Sequence, residues 1–141
     1  MSRMSLLASR YRSYRAQGRR CHYCGAPIWL RDLTGFARLH RLPLELAARL
    51  QCTAEHLVAR RDGGTDARAN IVAACVFCNT RRHARRHPLS ASAYRELVAR
   101  RMAQGKWHPR EIHQLLRSLP DPGATRPVHT GADCFPIALG R

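Results

Sequence analysis

Hydrophobic positions near the N-terminus recur at helical spacing. An i, i+3, i+7, i+10 pattern of apolar residues predicts an amphipathic helix over residues 2–17. Gly18 is suited to end this helix in a left-handed cap. We expect the apolar stripe to pack on the core; an alternative is that the arginines on the other faces lie along a nucleic-acid backbone. The stripe consists of Met4, Leu7, Tyr11 and Tyr14.

Two segments in the middle of the chain have strand-like patterns. Residues 51–57 alternate in polarity, and residues 70–74 contain a short apolar run. The Asp-Gly-Gly-Thr-Asp sequence between them is a strong turn signal. Residues 76–87 then predict a helix that Pro88 stops. The order strand, turn, strand, helix follows from these patterns.

The segment before the first strand gives a weaker signal. Residues 31–50 are interpreted as an insertion, which ends in a short helix over residues 43–50 with Pro43 in its first turn. Residues 26–33 are ambiguous between strand and loop.

Two further helices are predicted toward the C-terminus, over residues 90–102 and 109–119. We interpret both as packing supports, and from residue 120 onward frequent Pro and Gly predict a flexible tail. The resulting units are a basic N-terminal helix (1–20), a central core (21–88), supporting helices (89–119) and the tail (120–141). The inward-facing residues of the two helices are Tyr94, Leu97, Val98, Met102, Ile112, Leu115, Leu116 and Leu119.

Composition limits the chain to one modest core and points to an anionic partner. The chain has 141 residues, of which 45% are hydrophobic, and its formal net charge is +16. Such a charge favours a polyanion, since neutralisation of phosphates dominates affinity for nucleic acids. Lys106 is the one lysine among 25 basic residues, so a genomic bias toward arginine is an alternative cause. We expect DNA as the partner, with RNA not excluded; the sequence does not indicate an oligomeric state.

The N-terminal region and the apolar runs indicate neither membrane insertion nor secretion. No apolar run approaches the ~20 residues that cross a bilayer. The N-terminal apolar stretch Leu6-Leu7-Ala8 is too short for a secretory signal. We therefore expect a cytoplasmic protein whose six cysteines are reduced.

Four of these cysteines have the spacing of a zinc site. They form two Cys-x-x-Cys pairs, Cys21 with Cys24 and Cys75 with Cys78. In a reducing compartment this pattern predicts a structural Zn²⁺ that staples two distant segments, and free buried thiols are the alternative. We expect His22 to be exposed rather than coordinating. Cys52 is interpreted as a small core residue, and Cys134 as a free thiol in the tail.

Residues 53–83 contain a block of potentially catalytic residues. Glu55-His56 is followed by the glycine pair, then by Asn70, and then by Cys75-x-x-Cys78-Asn79-x-x-x-His83. Together with the first cysteine pair, this order resembles the HNH endonuclease family. The resemblance implies a small α+β protein with a ββα-metal (His-Me finger) core, in which two antiparallel strands and a helix hold one divalent ion.

The resemblance also implies a role for each residue of the block. His56 matches the general base that activates water, and Asn70 matches the asparagine that tethers the loop and aims this base. Glu55, Asn79 and His83 match the positions that bind the catalytic ion. Their oxygen and nitrogen ligands suit Mg²⁺ or Mn²⁺, with Ni²⁺ possible. The implied activity is hydrolysis of DNA phosphodiesters, leaving 5′-phosphate and 3′-hydroxyl ends.

Two departures from the family pattern and one geometric requirement accompany this hypothesis. Glu55 is one methylene longer than the more familiar aspartate, and Ala59 stands where many members have proline. A regular strand points neighbouring side chains to opposite faces, so the strand must end or bulge at Glu55 and His56. We expect the arginines at 81, 82, 85 and 86 to cover the outer surface of the helix. The competing hypothesis is a non-catalytic zinc module that binds nucleic acid.

Overall fold

The computed structural model describes the backbone of residues 3–121 and the side chains of residues 5–121. Most of the predicted tail, including Cys134, lies outside the described residues. Within them, a two-stranded antiparallel sheet is surrounded by six α-helices, which confirms the small α+β class. None of these helices is long and apolar enough to cross a bilayer. The elements are α1 (Arg3–Ala16), α2 (Leu33–His40), α3 (Leu44–Ala48), β1 (Cys52–His56), β2 (Ile71–Cys75), α4 (Val76–His83), α5 (Ala91–Ala103) and α6 (Arg110–Ser118).

The sheet and α4 form a ββα unit. The two strands pair in a regular register that sets Cys52 opposite Cys75 and His56 opposite Ile71. β1 contains no bulge and ends at His56. The requirement that the strand end or bulge at Glu55 and His56 is therefore met by the end of the strand. α4 starts directly after β2 and ends at His83, four residues before the predicted end at His87. The unit is consistent with the ββα-metal fold.

The face on which α1 packs differs in part from the predicted one. Leu7 and Tyr11 of the apolar stripe are 43% and 51% exposed, and of the stripe's described side chains only Tyr14 packs against the core. The face that meets the sheet instead carries Ser9, which is buried, and Ser13. Small polar side chains allow the helix backbone to approach closely, and apolar spacing alone could not reveal this.

Polar side chains at the end of α1 bond to the outer edge of β2. The Ser13 hydroxyl donates to the carbonyl of Ile71 at 2.9 Å. The Gln17 amide donates to the carbonyl of Ala73 at 2.8 Å and accepts from its N–H at 2.9 Å. These bonds satisfy strand groups that have no partner strand on that side. Gly18 has φ +65°, as the predicted left-handed cap requires.

The segment before β1 is more ordered than expected. Residues 26–33 form no strand but make isolated bridges, in which Trp29 pairs with Gln51 beside β1. The Trp29 indole also donates to the carbonyl of Ala47 at 2.7 Å, which ties this segment to α3. The predicted insertion contains a helix that the sequence reasoning missed, α2, whose N-cap Asp32 accepts from the N–H of Gly35.

The two C-terminal helices pack on the sheet and α4 as expected. Ser90 caps α5, and Pro109 precedes α6, so both helices begin one residue after the predicted start. Tyr94, Val98 and Ile112 are buried in the core. The Tyr94 hydroxyl donates to the carbonyl of Cys78 at 2.7 Å and so joins α5 to the first turn of α4.

Candidate active site and metal centre

The two cysteine pairs converge to one buried cluster. The sulfur atoms of Cys21, Cys24, Cys75 and Cys78 all lie within 4.8 Å of one another. Sulfurs bound tetrahedrally to zinc at ~2.3 Å are ~3.8 Å apart, and Cys24 and Cys75 are separated by 4.0 Å. All four residues are buried and none forms a disulfide. The donor set and spacing fit Zn²⁺, so the cluster is a potential zinc site.

Neighbouring N–H groups surround the sulfurs. The N–H of Cys75 lies 3.3 Å from the Cys21 sulfur, and the N–H of Cys78 lies 3.3 Å from the Cys75 sulfur. The Trp107 indole reaches the Cys78 sulfur at 3.2 Å from the segment between α5 and α6. Burial opposes ionisation of Cys21, but hydrogen bonds from the other three cysteines lower its pKa well below the usual value. The thiolate is therefore favoured at Cys21, whereas hydrogen bonds within the cluster raise the pKa of Cys24 and burial raises that of Cys78. Sequence reasoning missed Trp107, which lies outside the motif.

A second site is an open cleft where β1 meets α4. Its volume is about 360 Å³, and Glu55, His56, Asn79 and His83 all line it. Glu55 and His56 reach the same cleft although they are neighbours in a strand, because the strand ends there. Asn70, the fifth predicted residue, does not line the cleft but lies in the loop behind it.

The Glu55 carboxylate is buried and only half satisfied. Its residue is 1% exposed. One carboxylate oxygen, Oε1, lies 2.8 Å from Nε2 of His83 and 3.5 Å from a guanidinium nitrogen of Arg82. The other oxygen, Oε2, is buried with no hydrogen-bond partner. A buried carboxylate oxygen without a partner is costly, and a cation bound to Oε2 would remove this cost.

The cleft contains donor atoms of the kind that bind a small divalent cation. The Glu55 carboxylate and the His83 ring lie 2.8 Å apart, at hydrogen-bond distance, and both are side chains that bind divalent ions. Asn79 donates its amide nitrogen to the Thr53 hydroxyl at 3.0 Å, which leaves its amide oxygen available as a third donor atom.

His56 is held by an acid that the sequence reasoning missed. Its Nε2 lies 2.7 Å from a carboxylate oxygen of Asp66. The Arg60 guanidinium binds both Asp66 oxygens, at 2.9 and 3.1 Å. The hydrogen bond from His56 and the charge of Arg60 keep the pKa of Asp66 below its usual value. An ionised carboxylate only accepts hydrogen bonds, so Nε2 donates to Asp66 at 2.7 Å, and the Arg60 Nε atom lies farther from it, at 3.4 Å. In this tautomer Nδ1 is the unprotonated ring nitrogen.

Asn70 closes the loop that carries this acid. Its side chain accepts from the N–H of Val58 at 2.8 Å and donates to the carbonyls of Val58 and Thr65 at 3.0 and 2.8 Å. Gly64 also belongs to the closure, because a Cβ there would collide with the Val58 carbonyl. The tethering role predicted for Asn70 requires bonds across the loop, and these are present.

Arg82 does not lie on the outer surface of α4, where the sequence had placed it. It is 3% exposed, and its guanidinium donates to the carbonyls of His56 and Leu57, both at 2.9 Å. It also donates to the Tyr23 hydroxyl at 3.2 Å. The prediction was wrong for Arg82 because the end of β1 offers carbonyls and a carboxylate that compensate its charge.

Ala59 departs from the family's proline in chemistry but not in conformation. Its φ is −61° and its ψ is 149°. Proline fixes φ near −65°, so alanine adopts the same turn without the ring.

The comparison with known proteins agrees with the site. Residues 21–85 match the family model described as HNH endonuclease. No curated protein and no solved structure matches the chain. The matched segment contains both cysteine pairs, the cleft and the loop between the strands. The chain therefore carries a domain of the HNH endonuclease family at residues 21–85.

Proposed function

We propose that this protein is a metal-dependent endonuclease that hydrolyses phosphodiester bonds of DNA. The observation that carries the proposal is the pairing of two features in one open cleft. One is a buried Glu55 carboxylate with an unpartnered oxygen beside His83. The other is His56, held on one ring nitrogen by Asp66. A cation site next to an oriented base is what hydrolysis of a phosphodiester requires.

His56 is the proposed general base. The neutral imidazole takes a proton from water at Nδ1, and the resulting hydroxide attacks the phosphorus. Asp66, bonded to Nε2, keeps the ring in one orientation and stabilises the imidazolium that forms. Asn70 acts indirectly, because it holds the loop from which Asp66 reaches the ring.

Glu55, Asn79 and His83 would hold the catalytic ion, for which we propose Mg²⁺ or Mn²⁺, with Ni²⁺ also suited to the ligands. When bound, the ion supplies stabilisation of negative charge on the phosphate and on the leaving 3′ oxygen. Arg82 lies 3.5 Å from Oε1 of Glu55, and the second oxygen, Oε2, is buried without a hydrogen-bond partner, which leaves it available to the ion. The expected products carry 5′-phosphate and 3′-hydroxyl ends.

The charge of the protein supports DNA as the substrate. The formal net charge is +16, and Arg60 and Arg61 line the cleft itself. The cleft offers no recognisable set of side chains for reading bases, so contacts to phosphates dominate the proposal. Affinity should therefore fall steeply with salt, in proportion to the number of phosphates neutralised.

Plasmid nicking in Mg²⁺ or Mn²⁺ tests the proposal. We expect the parent to nick the plasmid and His56→Ala to lose at least ~100-fold in rate. His87→Ala is the matched control, because His87 is an exposed histidine just beyond α4 and outside the cleft. Zinc content and melting temperature should be equal in all three proteins. Failure of the folded parent to cut DNA or RNA with any of these ions would refute the proposal.

A non-catalytic zinc module that binds nucleic acid is the second candidate. It is favoured by contacts that the cleft residues already make with one another. Asp66 bonds to the His56 ring, and both Arg82 and His83 contact the Glu55 carboxylate. This candidate predicts DNA binding without turnover, and binding that His56→Ala leaves unchanged. Cleavage by the parent, lost in His56→Ala, would eliminate it.

A further inference from the structure

A second concave surface lies on the other flank of α4, away from the cleft. Its volume is about 550 Å³, and Phe77, Tyr94 and Trp107 contribute aromatic surface to it. No carboxylate is among its described lining residues. We call it the cationic pocket, after the five basic residues that line it: Arg49, Arg81, Arg85, Arg101 and Lys106.

Guanidinium groups lie over two of the three aromatic rings of the cationic pocket, those of Phe77 and Trp107. The Arg49 guanidinium lies 3.8 Å from the centre of the Phe77 ring. The Arg81 guanidinium lies 5.4 Å from Phe77 and 5.6 Å from Trp107. Stacking fixes the planar groups while their N–H donors stay in the plane, ready for an anion. The covered rings do not suit a nucleobase, so the chemistry selects a phosphoryl group.

Two observations indicate that this pocket suits an anion. The Nε atom of Arg49 is buried with no hydrogen-bond partner. The ion pairs among the described residues involve none of the five basic residues, whereas buried Arg82 of α4 pairs with Glu55. The nearby cysteines Cys75 and Cys78 attract the charge of Arg49, and a bound phosphate with several acceptor oxygens would neutralise charge on the other basic side chains.

The pocket and the cleft occupy opposite flanks of one helix. Asn79 and His83 line the cleft, and Arg81 and Arg85 line the pocket. Two residues of an α-helix that are two positions apart point about 200° away from each other. Exposed Thr80 lies between the two flanks and lines neither surface. A helix with its side chains is ~10–12 Å across, so one phosphate cannot occupy both surfaces.

We propose that the cationic pocket binds a backbone phosphate of the nucleic acid whose scissile phosphate lies in the cleft. This inference rests on the proposed function, which identifies the phosphate in the cleft as the scissile one. The bound phosphate is a different phosphate from the scissile one, on the same or the opposite strand, because the helix separates the two surfaces. The pocket then contributes to affinity for long substrates and not to the chemical step.

Charge reversal at one residue, with a matched control, tests the proposal. Arg101 lines the pocket, whereas the neighbouring Arg100 is exposed on the same helix and lines neither surface. Binding of a fluorescent ~20-base-pair duplex is measured by anisotropy, with His56→Ala as the background so that cleavage does not interfere. We expect Arg101→Glu to weaken binding about tenfold and Arg100→Glu less than about threefold. Equal weakening by both would overturn the proposal, because only net charge would then matter.

A second variant and a small substrate complete the test. Lys106→Glu changes the pocket from another segment and should reproduce the effect of Arg101→Glu. In the active protein, neither variant should change the hydrolysis of bis(p-nitrophenyl) phosphate, which is too short to reach both sites. A comparable loss on this substrate would contradict a role confined to binding. If the parent cuts nothing, the anisotropy comparison still decides the role of the pocket.

Inorganic pyrophosphate separates a backbone phosphate from a free phosphate compound. In a Trp29→Phe background the fluorescence of Trp107 reports on the pocket that it lines. We expect the duplex to saturate this signal at a concentration at least ~100-fold below that of pyrophosphate. Equally tight binding of pyrophosphate, lost in Arg101→Glu, would assign the pocket to a free phosphate compound and overturn the proposal.

Discussion

The cysteine cluster and the cleft lie at opposite ends of the same ββα unit and differ in how their polar atoms are satisfied. Around the cysteines, N–H groups from the backbone and from Trp107 contact the sulfurs, and all four ligands are buried. In the cleft, the Glu55 carboxylate keeps one oxygen without a partner, and His83 is 30% exposed. A closed donor set typifies a structural metal, and an open one typifies a catalytic metal.

This difference indicates that one part of the small domain stabilises the fold and another part is available for chemistry. The cluster joins residues about 50 positions apart in sequence, a task that a core this small does not accomplish easily. The cleft can then keep unsatisfied groups, because the fold does not depend on it. Changes at the cluster should therefore act on stability, and changes in the cleft on turnover.

The largest effect is expected from the cluster. Cys75→Ser should release zinc and cost more than ~5 kcal/mol, which is enough to unfold a small domain. Thermal unfolding and elemental analysis measure the two effects. Cys52→Ser is the matched control, because Cys52 is equally buried but lies outside the cluster, and burial raises its pKa to about 12. Full retention of zinc in Cys75→Ser would contradict the comparison.

Arg82 connects the two regions, so its loss should affect both. Its guanidinium contacts Tyr23 in the first cysteine knuckle and Glu55 in the cleft. Arg82→Met leaves the buried carboxylate without its cation, and we expect a loss of about 3–5 kcal/mol in the free energy of unfolding. Arg86→Met, at an exposed arginine just after α4, should change it by less than ~0.5 kcal/mol. Denaturant unfolding of the zinc-loaded proteins measures both changes. Equal free energies of unfolding in the two variants would show that Arg82 does not connect the cysteine cluster to the cleft.

Asn70→Ala sharpens the assignment of the cleft to chemistry. Without its three bonds the loop no longer fixes Asp66 and His56, and kcat should fall by up to ~100-fold. Affinity for DNA should change less than about twofold. Asn70→Asp retains the bond from Val58 but not the two donated bonds, so it should be intermediate. Equal losses in kcat and affinity would argue against a positioning role.

The smallest effect is a gain in stability next to the cleft. Ala59 already has the φ of proline, and its N–H donates no hydrogen bond among the described residues. Ala59→Pro should add about 0.4–1 kcal/mol by restricting the unfolded chain. Ala67→Pro is the control, because its φ of −56° is as suitable but its N–H donates to Thr65. A larger gain at Ala67 than at Ala59 would show that the N–H bond is not the deciding factor.

The parts predicted correctly from the sequence carry local signals. Cysteine spacing indicated the cluster, and alternation, glycines and proline indicated β1, β2 and α4. The family resemblance supplied the four residues that the cleft brings together, whose catalytic roles stay predictions. The sequence therefore predicted those features that depend on residue types and their spacing within a short segment.

The parts missed depend on contacts between distant residues. Asp66 was interpreted as turn chemistry, and its bond to His56 exists only once the loop folds back. Arg82 resembled its exposed neighbours, because no local sequence pattern reveals that it donates hydrogen bonds to the carbonyls of His56 and Leu57. The docking face of α1 was only partly predicted: Tyr14 packs against the core, but Ser13 and Gln17 bond to the edge of β2, which the sequence pattern does not reveal.

The cover that α1 places on β2 has a consequence for any attempt to isolate the family-matched segment. Ser13 and Gln17 lie before residue 21, where the match begins. A fragment trimmed to residues 21–85 would expose the bare strand edge, which is a template for pairing with other chains. Such a fragment should self-associate through β2 even with its zinc ligands intact, so the independent folding unit extends beyond the homologous one.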